Sequence, residues 1–211
     1  GINITDFLYR TIMLSIYHFD TPLSDNCLIT EQYLQKISQQ IHRSHHLFFV
    51  PLINEPILKM IKDDNSSCAD EPTDKASLVY RLTLDFKAAQ IEGNKKARAL
   101  LINLQEALTV GHQKYSRNLV INIAKKVGIN ITDFLYNRNS KETMQAILED
   151  QQLAHGMMPK VQATVAIDDA VDLKTQILTD FSVNDLLPAF LPHISDDDAS
   201  KKNAEASVNL A

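Results

Sequence analysis

Positive charge is the first thing this chain of 211 residues lacks: 21 lysines and arginines stand against 26 aspartates and glutamates, a formal charge of −5. A nucleic-acid partner calls for concentrated cationic surface, so none is expected. No apolar run approaches 18 residues and no secretory h-region is visible, so neither a membrane helix nor export is expected, and the chain reads as soluble and cytoplasmic. There are five glycines, and none builds a Gly-rich phosphate loop. Neither a Ser-His-Asp order nor a paired catalytic carboxylate stands out. Cysteine is scarcer still, with two, Cys27 and Cys68. A disulfide between them is not expected in a reducing compartment, and Cys68 falls in a polar stretch, 63–73, that reads as a loop. Seven histidines occur. His42-x-x-His45-His46 has a ligand-like look but no cysteine or carboxylate at ligand spacing, so no metal site is expected.

What the chain does contain is an α/β pattern with one large helical block. Residues 12–19 read as a strand and 25–41 as a helix, with Leu28, Ile29, Tyr33, Leu34, Ile37 and Ile41 at helical spacing. His46–Val50 reads as a strand stopped by Pro51, and 53–62 is ambiguous between strand and short helix. Helices are expected at 74–91, 94–110, 117–127, 131–137 and 141–156, broken at Glu92-Gly93, Gly111-His112, Gly128 and Asn139-Ser140. Leu78, Leu82, Phe86 and Ala89 form a packing face, and Met157-Met158-Pro159 reads as the link back to the sheet. Strands return at 161–167 and 173–178, and Ser182 is expected to cap a helix over 183–191. The Asp-, Ser-, Ala- and Lys-rich tail 195–211 has little to bury and is expected to be disordered. The nonapeptide Gly-Ile-Asn-Ile-Thr-Asp-Phe-Leu-Tyr occurs at both 1–9 and 128–136. The second copy reads as a helix start with Asn130 as N-cap, and the first carries no functional weight.

The informative segment is Ser24-Asp25-Asn26-Cys27, which follows a strand and opens a helix. A Cys-x-x-Cys redox pair would sit at such a place, its first thiol activated at the helix start. Here the first position is an alcohol, which cannot form a mixed disulfide, so two-cysteine exchange is unavailable.

Three stretches resemble the DsbA-like thioredoxin superfamily, and within it the cytosolic Gram-positive YjbH/SpxH-type ClpXP adaptors. Tyr17-His18-Phe19-Asp20-Thr21-Pro22-Leu23 followed by Ser24–Cys27 is similar to that group's strand and Asp-Pro-Leu-Cys-x-x-Cys turn. Phe86–Gly93 with Leu104-Gln105-Glu106-Ala107-Leu108 resembles the helical signature. Val161-Gln162-Ala163-Thr164-Val165 falls where the family has Val-x-Pro-Thr. The resemblance implies a thioredoxin-like fold in two parts, 12–73 and 157–194, around an inserted helical domain, 74–156. Ala163 replaces the family's cis-proline, and a non-proline cis bond costs several kcal/mol, so Gln162–Ala163 is expected to be trans.

Losing both redox features implies a redox-inactive adaptor with no cofactor. The resemblance implies that it binds the stress regulator Spx for degradation by ClpXP, gripping it through Ser24, Asp25, Asn26, Cys27, Gln162, Ala163 and Thr164. Two alternatives stay open. One is a glutathione-dependent transferase or isomerase of kappa type using Ser24, and the other a DsbA-family oxidoreductase using Cys27. The residues themselves give Ser24 a plainer role as N-cap of the helix it precedes, and Cys27 a mostly buried place.

Overall fold

Strand β1 (Leu14–Asp20) is where the architecture begins. Its period of two puts Leu14, Ile16, His18 and Asp20 on one face and Ser15, Tyr17 and Phe19 on the other. The computed structural model describes residues 13–53, 55, 72, 74–158 and 160–194. Cys68, the first nonapeptide copy and the 195–211 tail lie outside these residues, as does nearly all of the ambiguous stretch 53–62.

Helix α1 (Cys27–Ser38) follows β1 and leads to β2 (His45–Pro51), which pairs with β1 in parallel. Five helices with described bounds then precede the return to the sheet. They are α2 (Lys75–Gln90), α3 (Asn94–Thr109), α4 (Arg117–Lys126), α5 (Ile131–Arg138) and α6 (Lys141–Met157). Strands β3 (Thr164–Asp169) and β4 (Lys174–Thr179) add antiparallel, and α7 (Val183–Ile194) closes the described chain. The sheet order β2-β1-β3-β4, with the helical block inserted between β2 and β3, is a thioredoxin-like fold with an inserted helical domain.

Helix boundaries follow local chemistry. Asp74 accepts from the Ser77 N–H at 2.7 Å and Ser77 Oγ accepts from the Asp74 N–H at 3.1 Å, a reciprocal cap for α2. Asn130 caps α5 by accepting from the Thr132 and Asp133 N–H groups. Gly128, at φ +78, ends α4, with the next N–H returning to the Ala124 carbonyl. Ser182 plays the reverse of its expected part: its N–H and hydroxyl both donate to Asp185, which holds that carboxyl below its ordinary value.

The packing stripe on α1 also differs from expectation. Its buried residues are Cys27, Thr30, Glu31, Leu34 and Ile37, whereas Ile29 is 51% exposed. The stripe is rotated toward the strand because α1 covers the β1 face that carries His18 and Asp20. That face, with Leu14, Ile16, Val165 and Ile167, packs on Leu34 and Ile37 of α1 and Leu186 and Phe190 of α7. The opposite face meets Ala154 of α6 and Met158 beyond its end. Cys27 and Phe49 belong to a separate core with Leu82, Phe86, Leu101 and Leu104 of the insertion, where Phe49 meets Phe86 edge to face at 5.2 Å.

Candidate functional site

The turn at 21–26 hangs from the carboxyl end of β1. Asp20 is 3% exposed, and its Oδ1 accepts from the Thr21 N–H at 2.7 Å and from Ser24 Oγ at 2.8 Å. Leu23 holds a left-handed backbone, φ +64, which a non-glycine residue seldom adopts. Its N–H is held by Gln105 Oε1 of α3 at 2.9 Å.

Ser24 is therefore not the N-cap expected of it. The capping position is Asn26, whose side chain makes no capping bond, and α1 begins at Cys27. The physical reason is the buried Asp20 carboxylate, a charged acceptor that forms stronger hydrogen bonds than a neutral one and takes the Ser24 proton for itself.

Beneath the turn lies a polar cluster that joins three elements. His18 and Glu31 are both 0% exposed, and His18 Nδ1 meets Glu31 Oε1 at 2.6 Å. Arg98 of α3 donates through Nε to Glu31 Oε2 at 2.9 Å. The second imidazole nitrogen faces Asp20 Oδ2 at 3.5 Å. Burial alone would lower the His18 pKa, but Asp20 and Glu31 outweigh it and leave it raised. Burial would likewise raise Glu31, yet His18 and Arg98 hold it below its ordinary value.

Cys27 is 0% exposed. Burial first, and then the negative charges of Asp20 and Glu31, push its thiol well above the ordinary value, although Gln105 beside it works in the opposite direction. A thiol so placed is protonated at neutral pH and closed to solvent, the reverse of an activated nucleophile.

The second loop lies beside the turn by strand register. Thr164 pairs with Phe19 across β1 and β3, so the residues just before Thr164 run alongside the end of β1 and the start of the turn. There is no cis peptide bond among the described residues, so Gln162–Ala163 is trans. Asp25, Asn26 and Ala163 are exposed, Ser24 and Gln162 half-buried, and Cys27 and Thr164 buried. The side chains of Cys27 and Thr164 thus do not reach the surface, and Thr164 Oγ1 donates instead to the Gln162 carbonyl at 3.1 Å.

His18, Asp20, Glu31, Arg98 and Gln105 are the site residues that sequence reasoning passed over. The signal was present in β1, where a histidine and an aspartate continue the face of Leu14 and Ile16. It was present again in α1, where Glu31 stands one turn beyond Cys27. Among the other histidines, His45 is held by Ser38 and by the Arg43 carbonyl, both at 2.9 Å. No group of three His, Cys, Asp or Glu suited to a metal occurs among the described residues. No helix among them is long and apolar enough to cross a membrane.

Residues 17–184 match the family described as thioredoxin. The ClpXP adapter protein SpxH of Bacillus subtilis is 25% identical over 171 residues, covering 72% of this chain; the match spans 57% of that relative's own length. Of solved structures, a candidate protein disulfide isomerase from Nitrosomonas europaea has a TM-score of 0.61 at 13% identity, with 87% of this chain and all of that one covered. The oxidoreductase DsbA of Xylella fastidiosa has a TM-score of 0.54 at 14% identity, over 91% of this chain and 87% of its own.

Proposed function

The chain belongs to the thioredoxin family, and on that premise we propose that it is a redox-inactive adaptor that binds a protein partner in the cytoplasm. The observation that carries this reading is the state of the motif turn. The Ser24 hydroxyl is committed to Asp20, the Cys27 thiol is buried and protonated, and Asp25, Asn26 and Ala163 face solvent. A surface of thioredoxin type is kept there while its thiol chemistry is closed.

Similarity to SpxH supports Spx as the partner and ClpXP as the protease that receives it. In this reading Asp25, Asn26 and Ala163, with Ser24 and Gln162 at the margin, form the contact surface. Cys27 and Thr164 shape it from beneath. Binding is non-covalent and needs no cofactor.

The test is a pulldown with Spx as bait, using the native chain and Asn26→Arg and Ala163→Arg variants. Recovery of the native chain and its loss in the variants is expected; no recovery of the native chain sinks the Spx reading. Insulin reduction tests redox silence separately, and turnover that depends on Cys27 would return the chain to the oxidoreductases. Calorimetry with millimolar glutathione is expected to give no heat and no shift in melting temperature. A ligand that binds only the native state must stabilise it, so a shift would favour a glutathione enzyme using Ser24.

A further inference from the structure

A cavity of about 620 Å³ opens beside the motif turn. Its walls are Leu23 of the turn, the first turn of α2, the end of α3 and the loop that leads into α4. The floor is apolar. Leu23, Leu78 and Leu108 are each half-buried, packed on the core of the insertion with the rest of the side chain left to the cavity. Tyr115 completes the floor, its hydroxyl committed to Asp85 beneath. The Leu23 wall is fixed to α3 through the bond from its N–H to Gln105.

The rim differs from the floor. Lys75, Thr109, Gln113 and Lys114 are all exposed, and the two lysines are the only charged side chains lining the cavity among the described residues. Neither lysine makes an ion pair with a described residue. Asp74, the carboxylate next in sequence to Lys75, is turned to the Ser77 N–H as the cap of α2. In a chain of net charge −5, a rim with two cations and no anion attracts an acidic occupant and repels a basic one.

On the premise of the adaptor reading, we propose that this cavity docks an extended acidic segment of the protein partner. Its apolar side chains sit on Leu23, Leu78 and Leu108, and its flanking carboxylates meet Lys75 and Lys114. Small-molecule sites bury most of their ligand. This cavity is open along its rim, which suits a chain that needs only one face covered. Gln113 adds an amide there for the segment's backbone. Position agrees as well, since Leu23 directly precedes Ser24, and the cavity is therefore continuous with the surface at Asp25 and Asn26. Exposed ion pairs of this kind direct the encounter and are screened by salt.

The test is fluorescence anisotropy with a labelled Glu-Leu-Ser-Leu-Glu peptide, blocked at both ends so that only side chains carry charge. Two relatives serve as controls, one with lysine for both glutamates and one with serine for both leucines. Saturable binding of the first peptide alone is expected, weakening as salt is raised. Lys75→Glu combined with Lys114→Glu should lower that affinity at least about ten-fold and turn the preference to the lysine peptide. A glutamate at position 75 suits the first turn of a helix, and far-UV circular dichroism checks that the double variant is folded. A native chain that binds none of the peptides overturns the proposal, as does one that binds either control as tightly as the acidic peptide. So does a double variant with unaltered preference, or displacement of the peptide by millimolar glutarate, which would make the cavity a site for small acids. The Spx pulldown separates this from the adaptor reading. Acidic peptide bound without recovery of Spx removes Spx and leaves the cavity standing. Spx recovered equally by the native chain and the double variant, with no peptide bound, removes the cavity and leaves the adaptor.

Discussion

Glu31 and Asp85 are both 0% exposed and both accept from an arginine, yet they sit in opposite electrostatic states. Asp85, inside the insertion, accepts from Arg138 Nε at 2.5 Å and from Tyr115 Oη at 2.6 Å. Burial dominates, and its carboxyl is raised despite both partners. Glu31, at the junction of sheet and insertion, has His18 in addition to Arg98 and is lowered. Arg138, Tyr115 and the further charge of Arg81 do not offset full desolvation at Asp85, whereas His18 and Arg98, both bonded directly to the carboxylate, do so at Glu31. The insertion has settled on a weakly acidic, self-contained triad, whereas the junction depends on charge. Its extra histidine also faces Asp20, which ties the motif turn to the same cluster.

The sharpest way to break this contrast is to neutralise each carboxylate in turn. Glu31→Gln leaves Arg98 buried without its counter-charge and should cost about 3–5 kcal/mol, the range for half of a broken buried pair. Asp85→Asn should cost less, because burial already works against the ionised form of that carboxyl. Urea denaturation at pH 7 measures both. Equal losses would show that the two clusters do not differ as described.

Stability against pH separates them further. His18 is raised when folded, so its contribution is whole below its ordinary 6.5 and is lost as pH rises through the folded value. Glu31 is lowered, so its contribution is whole above 4.5 and is lost as pH falls through its own folded value. The junction is therefore strongest between those limits. Asp150, in α6, behaves in the opposite sense to Glu31. Burial pushes it up to about 6 even with Lys87 at 2.9 Å. Its ionisation works against folding, by an amount that grows between pH 3.8 and 6 to about 3 kcal/mol. His18→Gln should flatten the stability profile above pH 6.5, and Asp150→Asn the profile between pH 4 and 6. An alkaline slope that survives His18→Gln would remove His18 from the account.

Ser24→Ala probes the link from cluster to turn. It removes the hydroxyl donor to Asp20 and should cost about 1 kcal/mol, as a lost hydrogen bond to a largely buried acceptor does. Helix content by circular dichroism should not change, since Ser24 does not cap α1. A loss of helix signal would restore the capping role.

Much of this fold was legible in the sequence because it is written in local periods. The five insertion helices lie within a residue or two of the bounds expected from the breaks at Glu92-Gly93, Gly111-His112, Gly128 and Asn139-Ser140 and from Asn130 as N-cap, and each of those signals acts over a short stretch of chain. The junction cluster was not legible, because it is assembled by contacts remote in sequence: Arg98 reaches Glu31 across 67 positions and Gln105 reaches Leu23 across 82. Ser24 was misread for the same reason. A serine before a helix is a capping signal by itself, and only the folded position of Asp20 shows where its proton goes. The α1 stripe was misplaced because Glu31 is polar by type and core by location, and a hydrophobic pattern cannot register it.

The smallest expected effect concerns two asparagines at helix starts. Asn130 caps α5 with two hydrogen bonds to backbone N–H groups, so Asn130→Ala should cost about 1 kcal/mol. Asn26 stands at the same formal position before α1 but is exposed, with a helical backbone (φ −107, ψ −11) and no side-chain bond. Asn26→Ala should therefore stay within about 0.5 kcal/mol of the native chain. That silence makes Asn26 useful. A residue free of structural duty, beside Asp25 and Ala163, reports on partner contact alone. In the adaptor reading Asn26→Ala should weaken binding to Spx about ten-fold, equivalent to about 1.4 kcal/mol, with no change in melting temperature. Unchanged affinity at unchanged stability would move the contact surface off the motif turn. A stability loss of 1 kcal/mol or more would mean that Asn26 caps α1 after all, and the contrast between the two helix starts would fall.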